Sequence, residues 1–307
     1  MLESRQKLEN LIDALFVQRT LYSLEVPVPH QVFVFIILFV IFSFLGRFIP
    51  ANGFIAFDWV YVFSVDKYPP FYPPWGVWVT KWMSYHIFFG LSMASITFAV
   101  LKRSIHSISA IADMLALPTI WTLFLGQLEG LVLLGLLGLP WLIPLALIKP
   151  QVSFFALGAR KEYLLAGAVW LVLSFILWGF WPSKMFAVNS YYAEGRYVQD
   201  IAIGLRGFFI SLPLFWFSRG DMDMLMISGA FMTPHLIPYN MLPFTPAVAR
   251  LKPLPAIVAC ILSWLPFSAN WIGPVGWWLG WLFVTWLWSC LAYQRYFSPE
   301  QGGISAS

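Results

Sequence analysis

Runs of about 20 apolar residues constrain this chain more than any other feature. They fall at residues 32–49, 82–101, 163–181 and 277–293. A helix rises about 1.5 Å per residue, so each run reaches across the roughly 30 Å hydrocarbon core of a bilayer. Lipid offers the backbone no hydrogen bonds, so a segment that crosses it must satisfy its own, as a helix does. Composition agrees. Of 307 residues 60% are hydrophobic and 10% charged, against about 25% charged in a soluble domain. The expected fold class is all-α, a polytopic transmembrane protein of about 8–10 spans with no large soluble domain.

Charge sets the expected orientation. The net charge of +4 comes from short, scattered basic groups, which argues against a nucleic-acid partner. Arg5, Lys7 and Arg19 precede the first run, and Lys102-Arg103, Arg160-Lys161, Arg219, Arg250, Lys252 and Arg295 recur in alternate connections. The positive-inside rule then places those connections, with both termini, in the cytoplasm of a multi-pass cell-membrane protein. Residues 1–26 carry apolar positions at helical spacing among charges, which predicts an amphipathic helix on the cytoplasmic surface. Residues 27–297 form the transmembrane domain, and 298–307 a small, polar, disordered tail. Cys260 and Cys290 lie in apolar segments and suggest neither a disulfide framework nor a metal site.

The unusual polar residues fall on the opposite, outer side. Residues 50–75 form a proline-rich loop with Asp58-Trp59, Asp66-Lys67 and Tyr72-Pro73-Pro74. Proline fixes φ and cannot continue a helix, so this loop is stiff. Between Gly126-Gln127-Leu128-Glu129 and Arg160-Lys161 there are too few residues for two full spans, and Gly135, Gly138, Pro140 and Pro144 interrupt them. Short, broken or re-entrant helices lining a protein cavity are expected there. Lys149, followed by Pro150-Gln151, lies inside this apolar stretch. An ionisable group at that depth is a functional candidate, with Glu129 as its structural partner in the plainer reading. A second outer loop carries Arg196 and Asp200, with Arg206 beyond it, and a third holds Thr233-Pro234-His235 and Tyr239-Asn240.

Taken in order, these motifs resemble the polyprenol-phosphate-sugar-dependent membrane glycosyltransferases of the GT-C class, most closely glycosyltransferase family 87. The matching residues are Asp58-Trp59, Tyr72-Pro73-Pro74, Gly126-Gln127, Lys149-Pro150-Gln151, Thr233-Pro234-His235 and Tyr239-Asn240, across residues 30 to 250. The chain is shorter than is usual in that family, with a shortened first outer loop. It has Asn240 where the family has Asp, and Glu129 where Asn is common. The resemblance implies transfer of a hexose, most simply mannose, from a polyprenyl-phosphate-sugar to an extracytoplasmic glycan or lipid acceptor of the cell envelope. It implies Asp58 as the catalytic base, with Asp66 its rival. Substrate contacts would come from Asp66, Tyr72, Gln127, Glu129, Lys149, Gln151, Arg196, Arg206, His235, Tyr239 and Asn240. Partners are then membrane lipids, the lipid-linked donor and the acceptor, with no metal and no cofactor beyond that donor.

The chemistry fits those residue types. A carboxylate within hydrogen-bond reach can take the acceptor proton, and Lys149, Arg196, Arg206 or His235 can meet the departing phosphate. Two further readings remain open in the sequence. A non-catalytic relative would serve as an accessory subunit of a membrane complex. A transporter or flippase would also use broken helices with charges at depth, but no internal inverted repeat is evident.

Overall fold

A computed structural model describes residues 28–63, 72–184 and 198–297. The expectations for residues 1–26 and 298–307 lie outside the described residues. Among those described, every regular element is helical, with no strand. Among the described residues five helices are long and apolar enough to cross a membrane. They are α1 (Val28–Gly46), α3 (Tyr85–Arg103), α9 (Lys161–Trp178) and the two composite stretches Pro253–Ile272 and Pro274–Phe297. The last contains α14 (Gly280–Phe297). A bent pair, α4 (Ser107–Met114) and α5 (Leu117–Leu125), makes a sixth if its halves are counted together.

That number is below the eight to ten spans expected, and the shortfall has a local cause. The apolar runs between these helices are cut into pieces too short to cross. One such apolar run, residues 201–217, is helical mainly as α10 (Phe208–Ser218), 11 residues with Pro213 inside it. Proline removes a backbone donor and its ring clashes with the preceding turn.

The outermost helices have apolar side chains on every face. Only Gly46 is buried along α1, and only Gly167 and Ser174 along α9. Phe33, Val40 and Phe44 on α1, and Leu165, Ile176 and Leu177 on α9, are half or more exposed. A helix apolar all round needs an apolar surrounding, either protein core or lipid. Among the described residues little of the protein packs against these two helices.

α1 and α3 pack antiparallel. Gly46 lies against His86, Phe35 stacks edge-on to Phe98 at 5.8 Å, and Ser43 fills the space beside Gly90. At the centre sits a 3₁₀ rod, Pro238–Arg250, of which nearly every residue is buried. Its three prolines, Pro238, Pro243 and Pro246, lack the N–H that an α ladder requires. At about 2 Å per residue the rod runs some 26 Å through the core. Asn240 lies near one end of it and Arg250 at the other.

Both rod ends carry polar clusters. The Arg250 end also holds the C-terminal ends of α3 and α14 and the start of α11 (Met222–Ala230). Arg250 binds Asp221 at 2.7 and 3.0 Å and Asp223 at 2.8 Å. Arg103 grips Asp223 with two bonds of 3.1 and 3.2 Å, and Arg295 donates to the Ser218 carbonyl at 3.0 Å. Asp221 also caps α11, accepting the N–H groups of Asp223 and Met224. Three of the basic residues that suggested orientation are thus buried or nearly so in ion pairs. Their gathering at one end still agrees with the alternate-connection pattern.

Candidate functional site

The Asn240 end is the candidate site, and each of its residues is positioned by local chemistry. Asp58 follows a pinned turn. Asn52 Oδ1 accepts the N–H groups of Phe54 and Ile55 at 3.0 Å each, and the Ala56 N–H donates to the Phe124 carbonyl at 2.8 Å. Trp59 then stacks on Phe88 of α3 with centroids 4.4 Å apart. The loop cannot slide along the helix ends, and Asp58 is held facing inward.

Gln127 is placed by Gly126, which ends α5 in the left-handed region at φ 70°. A side chain there would strain the backbone and stand 3.0 Å from Trp59 Cβ. The chain then enters α6 (Glu129–Leu137), turns, and comes back through α7 (Ile143–Ala146) to α8 (Pro150–Ser153). The two limbs touch so closely that a Cβ on Gly135 would lie 2.0 Å from the Ala146 nitrogen. This hairpin returns Lys149 to the level of Glu129. Lys149 is buried at the head of a four-residue helix, which agrees with the broken-helix expectation for this stretch.

These pieces meet in one continuous network. Gln127 Nε2 donates to Asp58 Oδ2 at 2.5 Å, and Gln127 Oε1 accepts from Lys149 Nζ at 3.0 Å. Lys149 Nζ also donates to Glu129 Oε1 at 2.5 Å, and Asn240 Nδ2 donates to the same oxygen at 2.7 Å. Asn240 Oδ1 accepts the Ile237 N–H at 2.9 Å, which fixes its amide. The Lys149 ammonium lies 5.4 Å from the centre of the Tyr72 ring and 4.7 Å from that of Tyr239, both within cation–π range. Burial pushes the Asp58 carboxyl up to about 6; Lys149 and the Gln127 bond pull it down, and Glu129 adds to the rise. An acid with that value is half-ionised near pH 6 and mostly carboxylate at neutral pH, which suits a group that accepts a proton.

Gln151 belongs to the neighbourhood without joining the network. It lines a small cavity with Glu129, Val132, Lys149, Val152, Asn240 and Pro243, with room for about one water molecule.

The remaining predicted residues are elsewhere. His235 pairs with Asp200 through Nδ1 and Oδ2 at 2.7 Å. Asp200 also accepts the N–H groups of Ala202 and Leu236, joining the two outer loops. Partial burial pushes the Asp200 carboxyl up, but His235 and those N–H groups outweigh it and hold it below the ordinary range. Arg206 is exposed on the turn Gly204–Gly207. Asp66 and Arg196 lie outside the described residues.

Sequence reasoning gave no role to Asp200, nor to Asp221 and Asp223. The Asp-Met-Asp start of α11, directly after Gly220, was the available signal for the latter pair, since carboxylates favour helix N-termini. Among the described residues no group of three or more His, Cys, Asp or Glu is placed to hold a metal ion. Compared with known proteins, the chain matches no family model, no curated protein and no solved structure.

Proposed function

We propose that this is a multi-pass membrane glycosyltransferase that takes a hexose from a polyprenyl-phosphate-sugar, with Asp58 as its general base. One observation carries the reading. Asp58, Gln127, Glu129, Lys149 and Asn240, drawn from four separate stretches of sequence, form a single hydrogen-bonded chain at one end of the helices. In the proposed step Asp58 takes the acceptor hydroxyl proton, the hydroxyl oxygen bonds to the anomeric carbon, and the bond from that carbon to the phosphate oxygen breaks. Polyprenyl phosphate leaves. Gln127 holds the base, and Lys149 holds Gln127.

Contact between Glu129 and Asn240 lends further support. They are the two positions at which the chain departs from the family pattern it resembles, and they bond to each other at 2.7 Å. One carboxylate and one amide are kept across the pair, with their places exchanged.

A second reading is favoured by a different observation. Glu129 balances the Lys149 charge, and the adjoining cavity has space for about one water molecule. A purely structural network in an accessory membrane subunit has those properties.

Asp58→Asn separates the two. It keeps the shape and the bond to Gln127 but removes the basicity. The assay is transfer of labelled sugar from a polyprenyl-phosphate donor by purified protein of matched thermal stability. The glycosyltransferase reading expects a loss of about 100- to 10,000-fold. An active wild type with an undiminished Asp58→Asn variant would refute Asp58 as base. A folded wild type inactive with every donor and acceptor favours the accessory subunit.

A further inference from the structure

We infer that the cavity beside the Lys149–Glu129 pair is a binding site for one ordered water molecule, which completes the pair's hydrogen bonding. The argument is a count of donors and acceptors. Glu129 is 1% exposed, and its Oε1 accepts from Lys149 and Asn240 while its Oε2 has no partner. Gln151 Oε1 is likewise buried without a donor. Both side chains line the same cavity. An acceptor left bare in a dry interior costs about 1–3 kcal/mol, and more when it is charged.

On the donor side, a lysine ammonium has three N–H bonds, and Lys149 directs two at Gln127 Oε1 and Glu129 Oε1. Asn240 directs one of its two amide N–H bonds at Glu129. The lining therefore offers two free acceptors and at least one free donor. A water molecule has two protons to give and accepts in return, so it matches that set.

Other occupants fit less well. An alcohol hydroxyl has one proton and would leave one acceptor bare. A metal cation would sit beside the Lys149 ammonium and be repelled. The space, enough for about one water, excludes anything larger. With the water bound, Glu129 accepts three hydrogen bonds, and the Lys149 charge is held within the protein.

Two measurements on the full chain in lipid test this. The first is an experimental structure at a resolution that shows waters. A peak within hydrogen-bond distance of both Glu129 Oε2 and Gln151 Oε1 is the result expected. If instead no peak is found and the Gln151 amide is turned so that Nε2 donates to Glu129 directly, the site does not exist. The second is the thermal midpoint of Val132→Ile, which adds one methylene to the cavity wall. Displacing a bound water leaves both acceptors bare, so the midpoint should fall by a few degrees. A raised midpoint would mean that the methylene fills dry apolar space, and would overturn the inference.

Discussion

Asp58 carries the most consequential property at the scale of single residues. Its carboxyl is pushed up to about 6 from an ordinary value of 3.8, so the folded protein prefers the protonated form. The stability cost is absent below about pH 4, grows as pH rises, and is complete above about pH 6. From this group alone Asp58→Asn should stabilise the protein at pH 7, by about 1–3 kcal/mol, and be neutral near pH 4. Thermal melts across that range check the sign; a destabilised variant at pH 7 would mean the carboxylate is held charged. If Asp58 is the base, the transfer rate should rise with pH through about 6. Lys149 gives a second test. Lys149→Met should cost about 3–5 kcal/mol, because it strands Glu129 as a buried charge, and adding Glu129→Gln should recover most of it. Additive losses in a double-mutant cycle would show that the pair is not coupled.

At the scale of elements, the hairpin from α6 to α8 decides where the site can be. Its limbs approach so closely at Gly135 that Gly135→Ala forces the backbone of Ala146 aside. That variant should lower the thermal midpoint clearly, whereas Gly158→Ala, whose nearest contact would be an ordinary 3.7 Å, should lower it little. Much of this element was legible beforehand. The shortage of residues between Gly126 and Arg160 excludes two full spans, and Glu129 was the natural partner for a lysine at depth. The central 3₁₀ rod was not legible, because Pro238, Pro243 and Pro246 read equally well as a loop. What makes them a rod is burial on all sides by α3 to α6, a tertiary effect without a local signature. The Arg103–Asp223–Arg250–Asp221 cluster was missed for the same reason. Basic residues at helix ends have a sufficient explanation in membrane orientation, and only packing reveals that their side chains turn inward.

The whole molecule has two polar ends separated by roughly 20 Å, the reach of the 3₁₀ rod from Asn240 to Arg250 at about 2 Å per residue. Asp58, Gln127 and Lys149 mark one end, and Arg103, Arg250 and Arg295 the other. The proposed orientation puts the first outside the cell. Single cysteines at Asn52 and Ser183 should then react with an impermeant thiol reagent in intact cells, and one at Lys252 should react only after lysis. The opposite pattern would invert the topology and put the site on the cytoplasmic face.

The hairpin also bears on how the chain is made. Its limbs are too short to cross a bilayer singly and carry a glutamate and a lysine. Their cover comes in part from Asn240 and Pro243, which are synthesised long after them. A ribosome emits the chain from its N-terminus, so the hairpin waits while residues 154–237 are made before the rod that encloses it arrives. Its assembly is therefore a late event, completed when residues 238–250 are delivered, and the helices already in place must leave a gap for it. In nascent chains halted before residue 238, a cysteine at Lys149 should be labelled readily; once residue 297 has emerged, the same position should be closed to reagent. The short lysine-bearing hairpin thus turns the order of synthesis into an order of construction, with the candidate site completed only when a segment made well after the hairpin arrives.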